Sequence, residues 1–122
     1  MEKNILGLNA CAKDCHDAAV QAGWWHDING KKLERNVGEL LCLIHSEISE
    51  SMEGARKGLM DTHLPHKSMM EVELADAIIR IFDLAESKGF DLGQTIYEKI
   101  EYNKSRSDHK IKNRLKEGGK KF

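Results

Sequence analysis

The chain has 122 residues, of which 40% are hydrophobic and 32% are charged, and its formal net charge is −1. This length fits one domain with a core of its own, and the balanced charge argues against nucleic acid as a partner. The longest apolar run, residues 40–44, is far too short to span a bilayer, so we expect no membrane partner. The start of the chain lacks the pattern of a signal peptide and the cysteine count is odd, which predicts a cytoplasmic protein with reduced thiols.

The first predicted helix covers about residues 4–22, where apolar side chains recur every three or four positions. Gly23 follows it as a C-terminal cap. The only two tryptophans of the sequence, Trp24 and Trp25, then stand together. They either cover the core or form a stacking surface for a flat ligand such as a nucleobase, and the sequence leaves both interpretations open.

The second predicted helix covers about residues 32–58 and carries Glu47 and Glu50 three positions apart. Residues with this spacing lie on one face of a helix, with their Cβ atoms about 5–6 Å apart. Glu47 falls at the border of the apolar face. Glu39 and Glu53 fall on the polar side of the same helix, so we expect them to be solvated charges.

The third predicted helix begins after a nine-residue linker, at a capping signal in Ser68, and extends to about residue 88. Apolar side chains cover most of its circumference, so we expect it to be buried on nearly all sides. One narrow charged stripe interrupts them, and it consists of Glu73, Asp76, Arg80 and Asp83. A charged stripe on a buried helix faces a polar cavity or an opposite charge. Arg80 could therefore neutralise Asp76 or Asp83, or contact an anionic substrate.

The fourth predicted helix covers about residues 91–106, and Asp91 is its expected N-cap. Its apolar stripe ends in a polar residue, Asn103. Two basic residues, Lys104 and Arg106, follow near the helix end. Lys104 and Arg106 therefore add positive charge at this end of the helix.

The architecture that follows is all-α. No stretch has the pattern of a strand, and four helices joined by short connections predict a four-helix bundle. We assign residues 1–106 to a single helical domain and residues 107–122 to a basic C-terminal tail. Because the third helix is more apolar than a small bundle can cover, we also predict a homodimer or homotetramer.

The two carboxylate pairs point to a cation site. Antiparallel helices pack about 8–10 Å apart, so Glu47 and Glu50 would meet Glu73 and Asp76 between the second and third helices. Four carboxylates in such a gap repel one another and lose hydration. Either some of them stay protonated or a cation binds among them. A hard divalent cation with oxygen ligands is the natural partner, and Mg²⁺ is the expected cofactor where phosphates are also present.

The pattern of Glu47-x-x-Glu50, a gap, and Glu73-x-x-Asp76 resembles the MazG-like all-α nucleotide pyrophosphohydrolases, over about residues 38–106. Members of that family carry ExxE and ExxD motifs on adjacent antiparallel helices, and the resemblance implies that the four acids hold Mg²⁺. It also implies a nucleoside triphosphate substrate, in particular a deoxynucleoside triphosphate, that is hydrolysed to a monophosphate and pyrophosphate. Glu47 and Glu50 are then catalytic as well as metal-binding, with Glu50 as the candidate proton acceptor.

The same resemblance implies substrate contacts outside the acid motifs. The matching positions in this sequence are Asn103, Lys104 and Arg106 for the phosphates, and His16 and Trp25 for the base. This chain departs from the family pattern at Ser46, where many members carry a further Glu that orients the attacking water.

Two other interpretations remain open. A carboxylate-bridged di-metal bundle would need Glu-x-x-His pairs on two helices, and this sequence contains Glu-x-x-Glu and Glu-x-x-Asp instead. In a non-enzymatic helical interaction module, the acids would be ordinary surface charges. Such a module would not be stabilised by Mg²⁺, because only a ligand of the folded state raises the melting temperature.

Overall fold

The structure is a computed structural model that describes residues 1–106 and 110–122. Its described part is all-helical, without a β-strand, which confirms the predicted fold class. The helices are α1 (Glu2–Gln21), α2 (Val37–Lys57), α3 (Met69–Ser87), α4 (Leu92–Ser105) and α5 (Ile111–Arg114). The short α5 lies within the predicted basic tail, whose first residues, 107–109, lie outside the described residues. No helix in the described part is both long enough and apolar enough to cross a bilayer.

The chain divides into two compact units. One unit, Ala10–Phe90, contains most of α1 together with α2 and α3, and we call it the hairpin unit. The other unit consists of Met1–Asn9 and Asp91–Phe122, and we call it the terminal unit. The predicted carboxylate pairs all belong to the hairpin unit.

Close packing of α2 against α3 builds the hairpin unit. Ser51 of α2 is buried, and its hydroxyl donates a hydrogen bond to the backbone oxygen of Met70 at 3.0 Å. Gly54 of α2 lies so close to α3 that a Cβ atom added there would come within 2.8 Å of the Met69 side chain. A small side chain and a glycine therefore let the two helices approach each other where α3 begins.

The α2 helix begins at Val37, five residues later than predicted. The Asn36 side chain accepts a hydrogen bond from the backbone nitrogen of Glu39 and so caps the helix. Lys32 instead forms an isolated antiparallel bridge with His26. The residues before Asn36 are therefore held in a loop.

The predicted cap of α3 is confirmed, but its predicted burial is wrong for the single chain. Ser68 accepts a hydrogen bond from the backbone nitrogen of Glu71 at 3.1 Å. Only Ala77, Phe82 and Ala85 of this helix are buried, whereas large apolar residues on other sides are 37–49% exposed. The reason is that α2 covers only one side of α3. The exposed apolar residues of α3 are Met70, Leu74, Ile78, Ile79 and Ile81.

Side-chain amides organise the terminal unit. Asp91 caps α4 as predicted, because its carboxylate accepts a hydrogen bond from the backbone nitrogen of Gln94 at 3.1 Å. Asn9 donates to the same carboxylate at 2.8 Å and accepts a hydrogen bond from the backbone nitrogen of Gly93 at 2.9 Å. One asparagine thus ties the start of α4 to the first turns of α1.

Candidate functional site

Three of the four predicted carboxylates meet between α2 and α3. Glu47, Glu73 and Asp76 each offer one oxygen atom, and these atoms lie within 4.8 Å of one another. All three residues are partly buried. The helical spacing of each pair and the packing of α2 on α3 therefore produce the acid cluster that the sequence predicts.

Among the three clustered acids, Glu73 has the most strongly shifted pKa. A hydrogen bond to Glu47, burial, and a hydrogen bond to Glu50 raise the pKa of Glu73 to about 8. Its Oε2 atom is buried and finds no hydrogen-bond donor among the described residues. A carboxyl group that keeps its proton at neutral pH, with one buried oxygen left without a donor, fits a position where a cation replaces the proton.

The neighbouring acids respond differently. Burial raises the pKa of Glu47, but hydrogen bonds from Glu73 and Arg80 outweigh it and leave the pKa below its ordinary value. Burial, followed by the negative charge of Glu47, raises the pKa of Asp76. Arg80 donates a hydrogen bond from Nε to Glu47 Oε1 at 3.0 Å. The predicted partners of Arg80, Asp76 and Asp83, are therefore not the carboxylates to which it bonds.

Glu50 lies beside the cluster and is exposed. Its hydrogen bond to Glu73 contributes to the raised pKa of that residue, so the two carboxyl groups are neighbours. Ser46 stands where many MazG-like proteins carry a further Glu. Its hydroxyl donates a hydrogen bond to the backbone oxygen of Leu43 at 2.6 Å. Glu50 is therefore the accessible carboxylate next to the three clustered ones.

A cleft of about 530 Å³ opens next to the acid cluster. Its volume lies in the range of small-molecule sites, about 300–1,000 Å³. Glu47, Asp76 and Arg80 line its charged part, and Trp24, which is 62% exposed, lines another part. Small side chains of α1 and of the turn after it form a further wall and leave room for a flat ligand; they are Cys15, Ala18, Ala19 and Ala22.

The Cys15 thiol lines this cleft but is not reactive. Burial, and then the neighbouring Cys11, raise the pKa of Cys15 to about 11. The thiol therefore stays protonated at neutral pH, and a protonated thiol is a poor nucleophile and a poor metal ligand. The cleft offers carboxylates and guanidinium groups for its chemistry, rather than a thiolate.

Asp83 binds two of the residues that the sequence assigned to the base. Its Oδ1 atom accepts a hydrogen bond from Trp25 Nε1 at 2.9 Å and lies 2.7 Å from His16 Nδ1. Because a carboxylate only accepts hydrogen bonds, we assign the proton of the second bond to His16 Nδ1. The Arg35 guanidinium carbon lies 5.2 Å from the centre of the Trp25 ring. Trp25 is only 7% exposed, and it shares a smaller pocket of about 260 Å³ with His16. Trp24, rather than Trp25, lines the large cleft.

The three residues predicted near the end of α4 belong to the terminal unit. The Asn103 Oδ1 atom is buried and accepts no hydrogen bond from any described residue. Lys104 donates a hydrogen bond to Glu101 at 2.9 Å. Arg106 follows α4 as its C-cap residue. Their assignment to substrate phosphates stays a prediction.

Sequence reasoning missed two residues of the cleft and the role of a third. Arg35 lies in the loop before α2, and the sequence around it contains no motif that indicates a site. Trp24 was noted only as one of a pair. Asp83 had a usable signal, because it extends the stripe of Glu73 and Asp76 along α3. Its partners come from α1 and the following loop, and helical periodicity in α3 alone does not identify them.

Comparisons with protein-family models, with curated proteins and with solved structures found no match for this chain.

Proposed function

We propose that this protein is a Mg²⁺-dependent nucleoside triphosphate pyrophosphohydrolase, with deoxynucleoside triphosphates as the expected substrates. The observation that carries the proposal is the meeting of three carboxylate oxygens within 4.8 Å beside a cleft of about 530 Å³. A nucleotide is highly anionic, so it can approach such an acidic wall only together with a cation. The resemblance of the two acid motifs to MazG-like enzymes supports the same substrate class.

The donor set suits a hard cation. Glu47, Glu73 and Asp76 supply carboxylate oxygens, and the buried Glu73 Oε2 lacks a donor in the described part of the chain. When bound, Mg²⁺ would neutralise phosphate charge and make a water molecule more acidic. Those three residues would hold it, and Glu73 would give up its proton as the ion binds.

The remaining residues of the site would act on the substrate directly. Glu50, which is exposed beside the cluster, can accept the proton of the attacking water. Arg80 bonds to Glu47 through Nε, and its guanidinium has further N–H groups that can bind a phosphate oxygen. Trp24 offers an aromatic face to the base. The cleft would thus orient a nucleotide with its phosphates at the acid cluster.

The experiment is a substrate panel with product analysis. The protein is incubated with each common ribonucleoside and deoxynucleoside triphosphate in the presence of Mg²⁺, and monophosphate and pyrophosphate are quantified. We expect turnover of at least one of them, and loss of turnover in the variants Glu47→Gln and Asp76→Asn, with helix content by circular dichroism unchanged.

A matched control separates these effects from a general loss of acidity. Glu53 also lies on α2, but it pairs with Lys57 on the exposed side. Such exposed pairs contribute little to stability. Glu53→Gln should therefore keep full activity. No hydrolysis of any triphosphate by the wild-type protein, or full activity of Glu47→Gln, would refute the proposal.

We also propose that a second copy of the chain covers the exposed apolar stripes of the hairpin unit. Leu41, Ile48 and Met52 of α2 are 46–57% exposed at positions that share a helical face. The corresponding stripe of α3 contains Leu74, Ile78 and Ile81. Two hairpins that bury identical apolar stripes against each other would form a symmetric four-helix core.

Light scattering coupled to size-exclusion chromatography tests the second copy. The wild-type protein should have the mass of a dimer or a tetramer at micromolar concentration, and Ile78→Glu should shift the mass towards that of one chain. Ile28, which is fully exposed in a loop, provides the control Ile28→Glu, which should leave the mass unchanged. A wild-type mass equal to that of a single chain would contradict the proposal.

A further inference from the structure

Asp83 is held by two N–H donors on one of its oxygens. Trp25 Nε1 and His16 Nδ1 both donate to Oδ1, at 2.9 and 2.7 Å, and the side chain is only 14% exposed. Two donors that come from α1 and from the loop after it fix the rotamer of the carboxylate. Asp83 is therefore a rigid group, and the direction of its second oxygen is set by its neighbours.

The second oxygen is available to a ligand. Asp83 lines the large cleft, and its Oδ2 atom has no hydrogen-bond partner among the residues that the structure describes. A carboxylate oxygen in a partly buried wall gains most from an N–H donor, because water reaches it poorly. The cleft thus contains one oriented hydrogen-bond acceptor in addition to the acid cluster.

The position of Asp83 suits the base rather than the phosphates. It follows Asp76 by seven residues on the same helix, which separates the two along the axis by about 10 Å. Trp24 and the small side chains of α1 line the same cleft and suit a flat ring. A nucleotide with its phosphates at Asp76 would extend its base towards Asp83.

We propose that Asp83 is a specificity-determining residue that selects nucleotides whose base carries an exocyclic amino group, as cytosine does, over bases that carry an oxo group there, such as uracil. An amino group donates to the free carboxylate oxygen, whereas a carbonyl oxygen would place two acceptors against each other. This inference rests on the proposed function only in assuming that a nucleotide occupies the cleft. It adds the chemical feature by which the nucleotide is chosen.

The test measures binding of the monophosphates dCMP and dUMP, and it needs no turnover. In dUMP an oxo group replaces the exocyclic amino group at C4, and N3 becomes an N–H donor instead of an acceptor. Dissociation constants are obtained from NMR titrations with Mg²⁺ present. A hydrogen bond to a charged acceptor predicts that dCMP binds about tenfold to hundredfold more tightly than dUMP. Equal affinities, or no binding of either monophosphate at millimolar concentration, would overturn the inference, whatever the result of the triphosphate panel.

The variant Asp83→Asn makes the test specific. The amide oxygen of the new side chain in this variant must face the donors of Trp25 and His16, so the amide NH2 group takes the place of Oδ2. The acceptor in the cleft becomes a donor, and the preference should reverse in favour of dUMP. A merely structural role of Asp83 would not produce this reversal, and an unchanged preference for dCMP in Asp83→Asn would refute the assignment.

Two further variants complete the experiment. Asp83→Ala should remove the discrimination, and the indole N–H signal of Trp25 should shift and exchange faster with solvent, whereas Asp83→Asn should keep that signal protected. Glu86→Gln changes another acid of α3 that does not line the large cleft, and it should keep the wild-type preference. Loss of discrimination in Glu86→Gln would contradict a role that is specific to Asp83.

Discussion

Binding of Mg²⁺ to the acid cluster should depend on pH because Glu73 must lose its proton. The pKa of Glu73 is raised to about 8, so roughly nine tenths of the molecules carry this proton at pH 7. A protonated carboxyl group is a poor ligand, and the apparent affinity should rise with pH until Glu73 is ionised. From a single proton with a pKa of about 8, we calculate an increase of about 50-fold between pH 6 and pH 8.

Isothermal titration calorimetry measures this coupling. Mg²⁺ is titrated at pH 6, 7 and 8 in two buffers with different ionisation enthalpies, and the difference in heat gives the protons released, about 0.9 per ion at pH 7. Glu53→Gln should behave like the wild-type protein, and Glu73→Gln should lose binding. An affinity that is constant across this range, without proton release, would show that Glu73 does not exchange a proton for the ion.

Three further predictions concern stability. In the metal-free protein, Glu73 keeps its proton up to about pH 8 when folded but ionises near 4.5 when unfolded. Stability should therefore fall as pH rises between these values, by at most about 1.4 kcal/mol per pH unit. Glu73→Gln should then melt higher than the wild type at pH 8.5 without Mg²⁺, and a lower melting temperature would contradict the raised pKa of Glu73. Gly54→Ala should destabilise by about 1–3 kcal/mol in urea unfolding because its Cβ would meet Met69, whereas Gly7→Ala, with open space around it, should stabilise by up to about 1 kcal/mol. Ser68→Ala should cost about 1 kcal/mol through loss of the α3 cap, and an unchanged unfolding midpoint would argue against that cap.

The sequence predicted the helices well where the signals are local. The caps at Ser68 and Asp91 are set by a side chain and a backbone N–H three residues later, so they are readable from the sequence. The start of α2 was predicted too early because the residues before Asn36 are good helix formers, and the bridge between His26 and Lys32 that holds them in a loop is a tertiary feature. Here tertiary contacts, which a short sequence window does not contain, override the helix propensity of these residues.

The prediction that α3 is buried on nearly all sides was wrong for a different reason. Its apolar periodicity correctly marks surface that water should not contact, but periodicity does not say which molecule covers it. Within the chain, Ala77 and Ala85 are buried, whereas Ile78 stays 49% exposed. Apolar surface that no element of the hairpin unit covers is the reason for proposing a second copy.

The acid cluster was predictable because its geometry follows from two regular spacings and one helix pair. Glu73 and Asp76 share a face of α3 by periodicity, and packing on α2 brings them to Glu47. The ion pair of Arg80 was not predictable in the same way. Glu47 precedes Arg80 by 33 residues, and a choice among several acids depends on distances that differ by a few ångströms.

Glu73, Asp76 and Asp83 of the α3 stripe are all partly buried. Each interacts differently with its surroundings, and we therefore expect the three acids to differ in chemistry. Glu73 retains a proton, which a cation can replace. Asp76 has a raised pKa because of burial and the charge of Glu47, and it too would be relieved by a cation. Asp83 instead satisfies one oxygen with N–H donors from Trp25 and His16, so it needs no cation and can act as a hydrogen-bond acceptor. If both proposals hold, one helical stripe would supply metal ligands at one position and a base-selecting group two turns away. Spacing alone would have treated these acids as equivalent, and their partners distinguish them.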